Sequence, residues 1–249
     1  MIDGQAPVEV FDEIDSTVLE ARRRAERGEV SPVWLIAKRQ SAGRGRRGRA
    51  WTSHDGNLMA TLLFTTAQPP QQIALLGFAT GVALAESIDA VIGVGAARLK
   101  WPNDVFVNGA KIAGIMLDSG TLASGETWVA LAFGVNLADA PGNIDQPTTS
   151  LRDLLPPDAA APDPLQFLAA LRPRLENWSA RIVSEGFEPL RRAWLERVYG
   201  LGEDARVVQG ELMLEGRIAG ISARGELELD TETGRRLIAA GDVFLTRAA

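Results

Sequence analysis

Apolar and polar positions follow two textures along the chain, and the change between them falls near residue 200. In the first part, short apolar runs alternate with longer stretches of helical spacing. Val8 to Ile14 reads as a strand, and Thr17-Val18-Leu19-Glu20 has the capping-box pattern that opens a helix ending near Gly28. Val33 to Ala37 and Leu58 to Phe64 read as strands on either side of a glycine- and arginine-rich segment, Arg39 to Arg49. Between Ile73 and Ile92, apolar residues at helical spacing (Ile73, Leu76, Phe78, Val82, Leu84, Ile88) predict a core helix. Val105-Phe106-Val107, Asn108-Gly109 and Lys111 to Leu117 predict a hairpin, since Asn-Gly suits the positive φ angles of a type I′ turn. Trp128 to Val135 adds another strand.

Pro156 to Pro164 interrupts this pattern. Asp163-Pro164-Leu165-Gln166 then caps a helix running toward Ile182, which Pro173 is expected to kink or split. Phe187 to Tyr199 reads as a further helix, stopped at Gly200. From Val207 onward the texture changes to short runs separated by glycines: Val207-Val208, Leu212-Met213-Leu214, Ile218 to Ile221, Leu227-Glu228-Leu229 and Val243 to Leu245. Such runs predict a small antiparallel barrel. The expected organisation is a large unit, residues 1–200, and a small one, residues 201–249.

With 249 residues, 46% of them hydrophobic and 23% charged, the chain has an ordinary soluble composition and can bury a sizeable core. The absence of cysteine excludes disulfides and thiolate metal sites, and the lone histidine, His54, argues against a histidine-rich metal site or a Ser-His-Asp triad. Chemistry therefore falls to Lys, Arg, Asp, Glu and the backbone. Met1-Ile2-Asp3-Gly4 lacks a basic region followed by an apolar one, and no stretch is expected to reach the roughly 20 apolar residues of a membrane span. A cytoplasmic protein with no membrane association is the expectation. A net charge of −6 argues against a surface devoted to nucleic acid but leaves room for a local basic site.

Two segments carry candidate chemistry. Lys38 to Arg49 holds six basic residues, three glycines and no acid. Glycine lets backbone N–H groups approach an anion, and arginine offers forked, permanently charged donors for phosphate or carboxylate. The same composition also suits a solvated basic loop or a flexible nucleic-acid-binding segment. The second segment is Lys100-Trp101-Pro102-Asn103-Asp104, followed across the hairpin by Lys111-Ile112-Ala113-Gly114-Ile115. Lys111 would need an anionic partner if buried, or would point to water from an edge strand. Gly114 allows close approach of a ligand or marks a bulge. Asp104 could hold magnesium, accept a proton or simply form a turn.

In this order, Asp15-Ser16-Thr17, Gln40-Ser41-Ala42-Gly43-Arg44-Gly45-Arg46-Arg47-Gly48-Arg49 ending at Trp51, Lys100-Trp101-Pro102-Asn103-Asp104 and Lys111-Ile112-Ala113-Gly114-Ile115 resemble the biotin protein ligases. The resemblance runs from about Val10 to the C-terminus and is strongest before Asn136. It implies an α+β fold in which a mixed, mostly antiparallel sheet flanked by helices, of the class II synthetase and biotin-lipoate ligase type, precedes a small SH3-like barrel. The implied activity is ATP-dependent formation of biotinyl-5′-AMP, with Mg2+, and transfer of biotin to a lysine of a carboxylase's biotin carboxyl carrier domain. Residue by residue, Ser16, Thr17 and Gln40 would orient the biotin ring, and Gly43, Arg44, Gly45 and Arg46 would close over biotin and phosphate. Lys111 would touch the biotin carboxylate and the α-phosphate, with Gly114 beside biotin. Trp51 and Asn136 would meet adenine, and Arg49, Asn103 and Asp104 would lie near the nucleotide. Lys111, Arg46 and Asp104 are thereby the implied catalytic residues, with Asp104 also the implied metal ligand. Val18, Asp118 and Ala132 stand where the family frequently has Asn, Glu and Gly.

Regulatory members of that family carry an N-terminal helix-turn-helix. Here Asp15-Ser16-Thr17 begins almost at once, so no DNA binding is expected. Pairing of family members through sheet edges makes a homodimer plausible. The competing readings are a lipoate or other acyl ligase on a related scaffold, and a non-catalytic nucleic-acid-binding module using Lys38 to Arg49.

Overall fold

Val8–Ile14 (β1) and Val33–Gln40 (β2) pair in parallel, joined by the helix Thr17–Glu26 (α1). All other pairings in their sheet are antiparallel. They add Leu58–Thr66 (β3), Ala97–Lys100 (β4), Asp104–Val107 (β5), Ala110–Thr121 (β6) and Thr127–Val135 (β7), in the order β1-β2-β3-β7-β6-β5-β4. This computed structural model describes residues 2, 5–52, 54–142 and 146–246; Met1, Asp3 and Gly4 of the leading segment lie outside the described residues.

Alternation along the central strands sends side chains to two cores. Trp34, Ile36, Leu62, Val129 and Leu131 face Pro70–Ile92 (α2) and Pro164–Glu185 (α4). Val33, Leu35, Leu63, Trp128 and Ala130 face α1, through Ala21 and Ala25. Helices thus flank both faces, and α1 covers only part of its own, which leaves the rest of that face open for the cavity described below.

α2 is long and apolar enough, by length and composition, to cross a membrane, with a mean hydropathy of 1.6 over its best window. The expectation that no stretch would approach that limit is corrected here. Its apolar residues serve the core instead, since 61% of that window is buried against the sheet and α4. Pro173 does not split α4. Pro173 is exposed, so the hydrogen bond it cannot make falls on the solvent side, while Phe167, Leu171, Leu175 and Trp178 clamp the other face. The capping box is also corrected at α1: Ser16 is the N-cap and makes no side-chain cap, because the Thr17 hydroxyl turns inward and Glu20 pairs with Arg23 and Arg24. At α4 the expected box forms between Asp163 and Gln166. The short helices Leu151–Leu154 (α3) and Glu188–Leu195 (α5) follow β7 and α4, the latter ending four residues before the expected Tyr199.

The second sheet is antiparallel. Asp204–Gln209 (β8), Leu212–Ile221 (β9), Leu227–Thr231 (β10), Gly234–Ile238 (β11) and Asp242–Leu245 (β12) take the order β11-β10-β9-β8-β12. Its inner residues Val207, Ile218, Leu227 and Val243 join the same core as α2 and α4, and Trp101 Nε1 donates to the Gly225 carbonyl at 3.0 Å.

Candidate active site

The β5–β6 hairpin is built as its sequence requires: Asn108 and Gly109 take φ of 50° and 78°. Behind it, a register shift after Val105 opposes Phe106 to Lys111. Ile112 and Ala113 both enter the core, so strict alternation is broken and Lys111 joins Gly114 and Met116 in lining a cavity. β6 lies between β5 and β7, which excludes a lysine on an edge strand. The Lys111 side chain is 17% exposed, and its Nζ stands 2.8 Å from Oδ1 of Asp104, itself 16% exposed. Among the described residues, that oxygen has no aligned hydrogen-bond donor.

The arginine-rich segment is a small hairpin. Trp51 N–H donates to Gly43 O, Gly45 N–H to Arg49 O, and Arg47 (φ 57°) and Gly48 (φ 75°) make the turn. Three of its guanidiniums reach distant partners. Arg46 donates to Asn103 Oδ1 at 2.9 Å, while Arg47 and Arg49 both pair with Asp242 of β12, at 2.9 and 2.7 Å. Burial pushes the Arg46 pKa below the usual guanidinium value, with the charges of Asp242 and Asp104 opposing the effect; the group stays cationic. Asn103 in turn donates from Nδ2 to Ile115 O at 2.7 Å, so its amide links the hairpin to β6.

Trp51 lies across two glycines that pair between β6 and β7, Gly114 and Gly134. A Cβ on Gly134 would come within 2.3 Å of the indole, and one on Gly114 within 3.1 Å. The Lys111 ammonium lies 5.6 Å from the centre of the same ring. Gly114 therefore serves close approach by Trp51 and Lys111, and the register shift lies elsewhere.

At the other end of the cavity, Gln40 Oε1 accepts from Thr17 N–H at 2.8 Å and from its hydroxyl at 3.2 Å, and Thr61 donates to the same hydroxyl at 2.8 Å. Asn136 is buried; Nδ2 donates to Thr149 O, and Oδ1 has no hydrogen-bond partner among the described residues. Its position is set by Asn57, whose Oδ1 accepts from the N–H groups of Leu137, Ala138 and Asp139.

One cavity of about 680 Å³ gathers Thr17, Gln40, Arg44, Gly45, Arg46, Arg49, Trp51, Asn103, Asp104, Lys111, Gly114 and Asn136. Ser16 and Gly43 do not line it. Ser16 is fully buried, its hydroxyl without a hydrogen-bond partner among the described residues, and Gly43 packs on the Trp51 backbone. Of the departures from the family pattern, Val18 and Ala132 line the cavity, whereas Asp118 pairs with Arg22 at 2.8 Å. Sequence reasoning missed Gly134, Tyr199, Asp242, Phe244 and the role of Lys100 as a lining residue. Lys100 stood in a recognised motif, whereas nothing local marks Asp242, which reaches the arginine hairpin from nearly 200 residues away. Among the described residues, no three carboxylates or histidines gather as a metal cage.

These features define a cation-lined cavity on a mixed sheet, and residues 11–136 match the biotin/lipoate A/B protein ligase family, while residues 205–246 match the biotin protein ligase C terminal domain. The chain belongs to the biotin protein ligase family and is a ligase. It is 39% identical to a biotin–acetyl-CoA-carboxylase ligase of Paracoccus denitrificans, over 92% of this chain and 97% of that one. It is 33% identical to the enzyme of the same name from Mycobacterium tuberculosis, over 98% and 91%. Its fold superposes on a biotin protein ligase from Aquifex aeolicus in complex with biotin and ATP, with a TM-score of 0.79, 25% identity, and coverage of 97% and 99%.

Proposed function

We propose that this ligase joins biotin and ATP into biotinyl-5′-AMP and then passes biotin to a lysine of a carboxylase's biotin carboxyl carrier domain. The observation that carries this reading is the convergence of Arg46 and Lys111, from distant segments, in one cavity whose opposite end holds the Thr17–Gln40 polar pair. Thr17 and Gln40 would orient the biotin ring, with Ser16 behind them supplying a buried hydroxyl. Trp51 and Asn136 would take the adenine, the indole by stacking and the free Oδ1 by accepting from its amino group.

In the first step, a biotin carboxylate oxygen bonds to the α-phosphorus. The bond from that phosphorus to the α–β bridging oxygen breaks, and pyrophosphate leaves with the electron pair. Two anions approach and charge grows on the phosphoryl oxygens, so the cations Lys111 and Arg46 lower the barrier electrostatically. Asn103 holds Arg46 in place for this, and Arg44, Gly45 and Arg49 complete the loop around the anions. In the second step, the neutral amine of the carrier lysine attacks the acyl carbon, AMP leaves, and Asp104 would take the released proton.

Magnesium commonly takes one or two carboxylates and completes its shell with phosphate and water. Asp104 would be the carboxylate for that role, exchanging its ion pair with Lys111 for the metal, and the ion would add positive charge at the phosphates. On this reading residues 1–200 carry the catalytic groups, and residues 201–249 supply one wall of the chamber.

The test is exchange of radiolabelled pyrophosphate into ATP, with the acid varied. Exchange that depends on biotin, and not on lipoate, is expected. Exchange with lipoate alone would favour the related acyl ligases, and none with either acid would end the ligase mechanism proposed here.

A further inference from the structure

Lys100 ends β4 and pairs across the sheet with Asp104. Its side chain enters the cavity, half-buried, with its ammonium 5.1 Å from the centre of the Phe106 ring. The carboxylates that line the cavity are already engaged: Asp104 by Lys111, and Asp242 by Arg47 and Arg49. Arg46 has the Asn103 side-chain Oδ1, and Arg44 is exposed to water. Lys100 is the half-buried cation left over, with an aromatic face and, among the described residues, no carboxylate within ion-pairing distance. Burial pushes its pKa below the ordinary lysine value; Asp104 opposes that shift and Lys111 adds to it. A charge withdrawn from water without a counter-ion is costly, and such a group in a ligand cavity is stabilised when an anion arrives.

We propose that Lys100 binds the β- and γ-phosphates of the nucleotide and accompanies the departing pyrophosphate, a role separate from that of Lys111 at the α-phosphate. This rests on the adenylation reading above. The charged neighbours of Lys100 are Asp104 and Lys111, where the acid is activated, and Asp242 and Arg49, where the C-terminal sheet meets the arginine hairpin. A triphosphate with its α-phosphorus at Lys111 would have Lys100, in the same cavity, available to its outer phosphates. As the carboxylate oxygen bonds to the α-phosphorus and the bridging bond breaks, negative charge accumulates on the leaving pyrophosphate. Lys111 remains with the phosphate of AMP, and Lys100 neutralises the leaving group.

The experiment uses the full chain and compares inhibition by inorganic pyrophosphate with inhibition by AMP. Lys100→Met keeps the stem over Phe106 and removes the charge; Lys100→Arg restores it. The expected result for Lys100→Met is a tenfold or greater weakening of pyrophosphate inhibition and a raised KM for ATP. AMP inhibition and the KM for biotin should stay within twofold, and Lys100→Arg should recover pyrophosphate inhibition. Parallel weakening by both inhibitors, or no change in either, overturns the assignment while wild-type biotin-dependent exchange keeps the adenylation reading standing. Absence of that wild-type exchange overturns both. In the wild-type chain, pyrophosphate should also shield Lys100 from acetylation by an anhydride, as read by mass spectrometry, more than AMP does. The reverse order overturns the proposal even if Lys100→Met does not fold.

Discussion

An ammonium 2.8 Å from a carboxylate, both largely withdrawn from water, is a pair whose charges are held ready and only partly satisfied. If Lys111 acts on the forming adenylate, Lys111→Ala should lower biotin-dependent pyrophosphate exchange by about 10²–10³-fold, the usual cost of removing one well-placed charge-stabilising group. Far-UV circular dichroism should keep its wild-type shape, because β6 is held by both neighbouring strands. Turnover equal to wild type would remove Lys111 from the mechanism. The residue types and their spacing singled out Lys111, yet could not decide between a cavity and an edge. That decision depends on sheet order, which places β7 against β6 from beyond a turn. Asn103 shows the same limit differently: its motif marks it as important, but only the fold reveals that its amide is occupied by Arg46 and Ile115.

The arginine hairpin and the paired glycines act together at the scale of elements. Trp51 can lie flat on the sheet because Gly114 and Gly134 oppose each other with no side chains between them and the indole. Gly134→Ala would place a methyl inside the ring's contact distance, and such overpacking typically costs about 1–3 kcal/mol. With Trp51 displaced, the KM for ATP should rise about tenfold or more, since each 1.4 kcal/mol is tenfold in affinity, while the KM for biotin changes little. A KM for ATP at the wild-type value would show that the indole is not part of the nucleotide site.

Elements with strong periodicity were legible: the long strands, α2, α4 and the Asn-Gly hairpin all follow from spacing and turn chemistry. β4, α3 and β11 were not. β4 and α3 span four residues each, too few to show a period, and β11 is mostly exposed, with two adjacent arginines in place of an apolar alternation. The proline in α4 misled for a physical reason, since a solvent-facing break in hydrogen bonding is tolerated when the opposite face is well packed.

In the whole molecule, the cavity is walled by both sheets, with Asp242, Val243, Phe244 and Leu245 of β12 facing residues of β6 and β7. The carboxylate of Asp242 fastens the arginine hairpin to that wall. Its two partners are 41% and 60% exposed, and pairs of this kind contribute only about 0.2–1 kcal/mol each. Asp242→Asn should therefore leave the melting temperature almost unchanged while trypsin cuts after Arg47 and Arg49 several-fold faster. Cleavage at the wild-type rate would mean that the hairpin's own hydrogen bonds hold it without the tether. That connection was invisible in the sequence because neither partner lies near the other along the chain.

The shared wall makes the last fifty residues and the glycine-arginine hairpin a matched set. Grafting a relative's terminal sheet onto the body of this chain would take Asp242, the acidic half of the clasp, away from Arg47 and Arg49. Domain boundaries drawn by topology alone would thus mislead a builder of chimeras, for whom the unit of exchange is the clasp together with both ends that close it.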